Sequence, residues 1–296
     1  MAQRPATELK PGQRLDSTTD RVLSILDMFT EQCPVWTTDV LIDRLGVARA
    51  TMYRYLRALV ETGFLSPDGR GAYSLGPRFI EMDRHIRVGD PLLQVAPAVM
   101  EALRQRFAGN QLLCRYYGHR VLSIYEDKVD ARIKSSFDRG RPFTLFRGSP
   151  SRIILANLTA AQLQRLFLHH AEEINSAGLG RNWLEFRENM RAVQKLGYAV
   201  ASDIDKTLVG VSAAIFLPSG DVTASLCLVK LRSEVPAEEI EQLGAIVQQG
   251  AAEITKKLLG ARAPSETAPA GRKRAAKQAA VAPAKARPRG TRAVGR

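Results

Sequence analysis

Arg49, Arg54 and Arg57 share one side of a short helical repeat with Ala50 and Tyr53, and Thr51 lies among them. Met52, Tyr55, Leu56 and Leu59 recur at the i, i+3, i+4, i+7 spacing of a buried stripe, which turns Arg49, Ala50, Tyr53, Arg54 and Arg57 outward. This outward face reads as basic and uncapped by acids. A guanidinium fork pairs two-pronged with a guanine edge or with phosphate oxygens, while Thr51 and Tyr53 can bond phosphate or pack on a thymine methyl. The chemistry on offer is recognition of DNA.

The elements that must position this face lie on either side of it. Leu41, Ile42 and Leu45 sit at helical spacing behind Thr37 and Thr38, which can cap the first turn and are expected to touch DNA beside the basic helix, and Gly46 stops that helix. Two short helices joined by a tight Gly turn form a helix-turn-helix, whose second helix enters the major groove. Phe64-Leu65 and Ala72-Tyr73-Ser74-Leu75 then read as two strands closed around Asp68-Gly69, a hairpin turn. Such a hairpin is a wing, and Arg70 at its tip reaches a phosphate or a neighbouring minor groove. An isolated helix with exposed arginines is usually a solvated surface. Here helix, Gly turn, basic helix and Gly-rich hairpin follow in the order that a winged reader needs.

Gly46-Val47-Ala48-Arg49-Ala50-Thr51-Met52-Tyr53-Arg54, Leu59-Val60-Glu61-Thr62-Gly63-Phe64-Leu65 and Tyr73-Ser74-Leu75-Gly76-Pro77-Arg78 resemble the winged helix of the IclR family of bacterial transcription regulators. The resemblance covers about residues 18 to 260. One departure is in the reading helix, where the family usually has Ser-Thr and this chain has Ala50-Thr51.

With 296 residues the chain is long enough for two domains, each with its own core. No signal-peptide pattern is visible, and no apolar run reaches the ~20 residues of a spanning helix, so a soluble cytoplasmic protein with no membrane partner is expected. Cys33, Cys114 and Cys227 are far apart and form no C-x-x-C pair, which argues against a disulfide framework or a zinc ribbon. The net charge is +13, but residues 261 to 296 hold ten Lys/Arg against the single Glu266. This tail carries +9 and leaves +4 for the rest.

Along the chain, residues 1 to 17 read as a flexible arm and 18 to 76 as the reader, whose first helix runs from Thr18 to Phe29 with Thr18, Thr19 or Asp20 as its cap. Residues 77 to 90 form a connector helix, about Arg78 to Val88, with Phe79, Ile80, Met82 and Ile86 apolar. Pairing with its twin in a second chain would cover that face, and two readers suit the half-sites of a palindrome, so a homodimer or dimer of dimers is expected. Residues 91 to 260 change to a mixed α/β pattern. Strands are expected near 111 to 117, 121 to 126, 131 to 137, 142 to 146, 198 to 202, 209 to 217 and 222 to 231. Helices are expected at Pro91 to Phe107, Pro150 to Asn157, Ala160 to Leu168, Arg181 to Leu196 and Pro236 to Leu259. The fold class is α+β, a winged helix-turn-helix joined to an antiparallel sheet with helices on its faces, followed by a basic tail (261 to 296) expected to be disordered.

Periodicity does not distinguish a ligand pocket from a solid core in such a domain. Gly197-Tyr198-Ala199-Val200, Gly210-Val211, Ala213-Ala214 and Gly220 with Val222, Ala224 and Leu226 resemble the GAF-like effector-binding half of the same family. The resemblance implies a small-molecule pocket at Ser149, Pro150, Asp203, Ala213, Cys227 and Val229, with Leu226 and Leu228 as core neighbours. Where the family often has a small Ala next to a His, this chain has Phe146-Arg147, and the loop from Ala201 to Val209 is longer than usual. Phe146 and Arg147 therefore join the expected pocket. Arg147 beside the N-terminal amides of the next helix would make an anion-binding corner, suited to an organic or aromatic acid. A surface salt bridge is the competing reading of Arg147.

No catalytic or cofactor motif stands. His169-His170 with Glu172 and Glu173 has no further ligand at matching spacing, Gly210-Val211-Ser212-Ala213-Ala214 lacks the closing glycine of a nucleophile elbow, and Gly178-Leu179-Gly180 lacks a third glycine. The sequence therefore reads as a DNA-binding regulator, with repression the expected outcome, that responds to a small molecule and uses neither metal nor cofactor. The alternative is an architectural, nucleoid-type protein acting mainly through its tail, which resembles those of histone-like proteins and would neutralise phosphates without reading sequence.

Overall fold

The computed structural model describes residues 17–133, 137–217 and 219–260. The expected arm, up to residue 16, and the basic tail from 261 lie outside the described residues. The first helix, α1 (Thr18–Asp27), is capped one residue earlier than expected. The Ser17 hydroxyl accepts from the Asp20 N–H at 3.1 Å, and the Asp20 carboxylate accepts from the Ser17 N–H in return. Asp20 thus serves as the third helical residue of a capping box instead of as the cap.

The helix-turn-helix follows as α2 (Thr38–Leu45) and α3 (Arg49–Glu61), with Gly46 at φ 61° closing α2 in the left-handed region that glycine adopts without steric penalty. Ile25, Leu41, Met52 and Leu56 are fully buried where the three helices meet. Each such side chain contributes roughly 1.5–3 kcal/mol by leaving water. The wing is β2 (Leu65–Pro67) and β3 (Ala72–Leu75), paired antiparallel from Leu65 opposite Leu75 to Pro67 opposite Tyr73. A further strand, β1 (Trp36–Thr37), adds to the other side of β3, and two residues are too few to show alternation in a sequence. β2 is consequently an edge strand, where Pro67 costs no ladder bond.

The connector α4 (Arg78–Gly89) has no buried residue, and Asp90 then caps α5 (Pro91–Leu103) through a bond from the Leu92 N–H at 3.0 Å. The remaining strands are β4 (Asn110–Tyr116), β5 (Val121–Asp127), β6 (Pro142–Phe143), β7 (Ala199–Ala201), β8 (Leu208–Phe216) and β9 (Val222–Leu231). They form one antiparallel sheet in the order β6-β5-β4-β9-β8-β7. One face packs on α5 and the closing helix α9 (Glu239–Gly260), burying Leu113, Val211, Ala213, Leu226 and Leu228. The other packs on α6 (Ser149–Ala156), α7 (Ala160–Ser176) and α8 (Trp183–Leu196), burying Leu112, Cys114, Ile154, Phe186 and Cys227.

Two expected strands differ. Ala131 and Arg132 lie in a turn that Asp130 closes by accepting the Arg132 N–H at 2.9 Å, and residues 134–136 of that stretch lie outside the described residues. The strand expected over 142 to 146 stops at Phe143, because the Arg147 N–H turns back to the Thr144 carbonyl at 3.2 Å. The helix expected over 160 to 168 runs on to Ser176 through a kink at His170, so His169-His170 sits inside a helix instead of at its end.

Candidate functional site

α3 presents Ala50, Tyr53, Arg54 and Arg57 to solvent, with Thr51 half-buried beside them, and Tyr53 is 48 % exposed. The face is not free of acids, contrary to the sequence expectation. The Arg49 guanidinium lies 2.7 Å from the Asp39 carboxylate of α2, and Arg57 lies 2.7 Å from Glu61 one turn later. The charge of Asp39 raises the pKa of Arg49 above the ordinary value, and the hydrogen bond to Glu61 raises that of Arg57. The Arg54 guanidinium rests 5.6 Å from the centre of the Tyr55 ring and carries no ion pair among those described.

Thr37 and Thr38 also do something other than expected. Thr37 occupies the cap position of α2 without a side-chain bond, while Thr38 is buried and gives both its N–H, at 3.2 Å, and its hydroxyl, at 3.4 Å, to the Gly71 carbonyl. Thr38 thus ties α2 to the wing and turns no hydroxyl toward solvent. At the wing tip the Asp68 carboxylate accepts N–H bonds from Arg70 at 2.9 Å and Ala72 at 3.1 Å. Those bonds, the one from Arg70 first, hold the Asp68 carboxyl below the usual carboxylate range. Arg70 is exposed at the tip that they fix.

The second candidate site is a cavity between the sheet and the start of α6. It is lined by Ser149, Pro150, Asp203, Cys227 and Val229, five of the residues expected there, together with Gly210, Ser202, Ile204, Leu112, Phe137 and Phe143. The Ser149 hydroxyl lies 2.8 Å from that of Ser212 and 3.6 Å from the Cys227 sulfur. Gly210 makes this cluster possible, since a Cβ there would stand 2.7 Å from the Ser149 oxygen. The Ser202 hydroxyl is buried without a partner among the described residues. Burial raises the Cys227 thiol above its ordinary range, so it stays protonated and acts as a weak donor.

Three expected pocket residues are elsewhere. Ala213 follows Ser212 on β8, and strand alternation sends its side chain to the α5–α9 face. Phe146 is buried in the core under α6 and α7, its ring 5.4 Å from that of His170. Arg147 is exposed and is not among the residues lining the cavity. The cation near the anion corner is Arg152, whose guanidinium lies 3.0 Å from the Asp203 carboxylate. Asp203 also accepts the Gly148 N–H at 3.1 Å, so an amide expected to be free is taken. Ser212, Ser202 and Ile204 escaped the sequence reading. Alternation relative to Cys227 would have selected Ser212, but only with the β8–β9 register in hand, where Ser212 faces Cys227.

A winged helix followed by this six-stranded sheet can be compared with known proteins. The IclR helix-turn-helix domain matches residues 18–69, and the bacterial transcriptional regulator IclR C-terminal domain matches residues 88–256. The chain belongs to the IclR family. It is a DNA-binding transcription regulator with an effector-binding C-terminal domain. Curated relatives of this IclR protein include the HTH-type transcriptional regulator KipR of Bacillus subtilis, 25 % identical over 253 residues that cover 83 % of this chain and 98 % of the relative. The HTH-type transcriptional regulator XynR of Escherichia coli is 21 % identical, covering 81 % of this chain and 96 % of its own. Among solved structures, the Thermotoga maritima IclR superposes with a TM-score of 0.63 at 18 % identity, covering 82 % of this chain and 98 % of that one. An IclR homolog of Microbacterium hydrocarbonoxydans complexed with 4-hydroxybenzoate gives 0.66 at 21 % identity, covering 82 % and 100 %. At these identities the structures establish the shared fold.

Proposed function

We propose that this IclR regulator is an operator-binding repressor that acts as a homodimer or dimer of dimers in the cytoplasm, with no catalytic activity. α3 reads the major groove through Arg54, Tyr53, Thr51 and Ala50, with Arg49 and Arg57 on phosphates and Arg70 of the wing on a flanking phosphate. The observation that carries this reading is the uncovered face of α3. Its stripe Met52, Tyr55, Leu56 and Leu59 is buried, while Tyr53, Arg54 and Arg57 stand in solvent. The chain divides into a reader at 18 to 76, a connector at 77 to 90 and an effector domain at 91 to 260.

The effector is an organic acid, and an aromatic one suits the lining. Ser149 and Ser202 line the cavity, with Ser212 bonded behind Ser149, and supply donors for a carboxylate, and Phe137, Phe143, Leu112 and Val229 supply an apolar wall. The homolog bound to 4-hydroxybenzoate supports the same chemical class. The cavity holds about 30 Å³, room for roughly two water molecules, so a ligand enters by displacing its walls.

The test is binding to the chain's own upstream promoter and to an unrelated duplex at two salt concentrations, for the full chain and for one ending at Gly260. A preference of roughly a thousandfold retained by the shorter chain is the expected result. Loss of all binding with the tail would instead support the architectural alternative, which rests on residues outside the described ones.

A further inference from the structure

α4 is held unequally at its two ends. At its start the Arg78 N–H donates to the Gly63 carbonyl at 3.1 Å, and the rings of Phe79 and Phe64 meet edge to face at 5.4 Å. Gly76 passes so close to Gly63 that an added Cβ would lie 2.2 Å from its carbonyl oxygen. Toward the effector domain there is little packing. Ile80, Ile86 and Val88 are exposed, and an open cleft of about 510 Å³ is lined by Arg87 on one side and Ile124 and Tyr125 of β5 on the other.

Arg139 bridges that gap. Its guanidinium places Nε at 2.9 Å and Nη2 at 2.7 Å from one Asp83 carboxylate oxygen, and Nη1 donates to the Ile124 carbonyl. The other Asp83 oxygen takes Arg87 of the same helix at 3.0 Å. Two residues before Arg139, Phe137 lines the effector cavity with its ring stacked on Phe143 at 4.9 Å. The turn is pinned to β5 at its far end, where the Gly140 N–H donates to the Ser123 carbonyl at 2.8 Å, while exposed Lys128, just past that strand, reaches Asp138 at 2.6 Å. A turn fixed at one end pivots when its other end is pushed.

We propose that the turn from Phe137 to Arg139 is the mechanical link between the cavity and the DNA-reading head. An occupant displaces Phe137, and the pinned turn passes the displacement on as a changed grip of Arg139 on Asp83. Leu112, Leu208 and Cys227 on the sheet side are buried in hydrogen-bonded strands, whereas Phe137 is half-buried outside any strand or helix and yields first. Asp83 then biases the angle of α4, because Arg139 grips it from the effector domain and no residue of the helix is buried within its own chain. This inference rests on reading the cavity as the effector site.

The experiment is hydrogen exchange of α4 amides in the full chain, comparing wild type, Phe137→Ala, Asp83→Asn and the double variant. Phe137→Leu serves if Phe137→Ala does not fold. The expected result is that the Phe137 substitution changes α4 exchange by roughly threefold or more, and that it has no further effect once Asp83→Asn is present. An unchanged α4, or effects that simply add, would overturn the link. A second arm measures promoter affinity with and without 4-hydroxybenzoate. A response in wild type that shrinks roughly threefold or more in Asp83→Asn, while binding of the acid is kept, supports the link. An undiminished response overturns it. Absence of promoter selectivity in the wild type refutes the proposed operator-binding reading and leaves the exchange result to decide the link.

Discussion

Arg49 and Asp39, the first residue of the reading helix and an acid of the helix before it, stand 2.7 Å apart with both side chains largely in water. A carboxylate there both occupies the guanidinium and repels phosphate. Asp39→Asn should therefore raise affinity for any duplex several-fold at low salt, and the gain should shrink as salt screens it. Fluorescence anisotropy at two ionic strengths reads this directly, and an unchanged affinity would show that Asp39 already swings away on DNA.

Arg54 differs from its neighbours because its only described partner is an aromatic face. Arg54→Ala should leave the fold intact, since Tyr55 and Leu56 keep their burial, and should weaken promoter binding roughly ten- to hundredfold. If loss falls equally on promoter and unrelated duplex, Arg54 touches phosphate and reads no base.

The wing tip should be acid-sensitive. The Asp68 pKa is depressed, so its contribution is present above the unfolded carboxylate value of about 3.9. That contribution is lost as pH falls through the lower folded value. The Arg70 and Ala72 amide resonances should hold their positions near neutrality and move together below about pH 4. Asp68→Ala should show the acid-form positions at neutral pH.

Much of this was legible beforehand for a physical reason. The stripe Met52, Tyr55, Leu56 and Leu59 names its own face, and Gly46 names the turn before it. What stayed hidden depends on pairing across the chain. Ala213 and Ser212 are neighbours in the chain, and only the β8–β9 register tells which of the two meets Cys227. The Asp39–Arg49 pair joins residues ten apart on separate helices, and Asp203 meets Gly148 across 55 residues, beyond the reach of any local spacing.

The cavity gives the last prediction. Gly210→Ala puts a methyl group 2.7 Å from the Ser149 oxygen, where both residues are held by a strand and a helix. With an organic acid as the proposed effector, any response of promoter binding to the probe 4-hydroxybenzoate should vanish while promoter affinity without it remains, at a stability cost of about 1–3 kcal/mol for the overpacking. Ile204→Ala, on the outer rim, should act in the opposite sense and admit the acid more readily, as read by calorimetry.

Gly63 and Gly76 touch backbone to backbone, and this makes the reader and the first turn of α4 a single stiff piece. A stiff piece turns small angles into travel. The 12 residues of α4 span about 18 Å, so a tilt of roughly ten degrees about its Gly89 end moves the reader by about 3 Å. The rise from one base to the next is about 3.4 Å. Under the proposed link, a change too slight to alter the sheet would be enough to carry Arg54 from one base pair toward its neighbour, so a response to an effector would need loss of register, with no unfolding and no loss of charge.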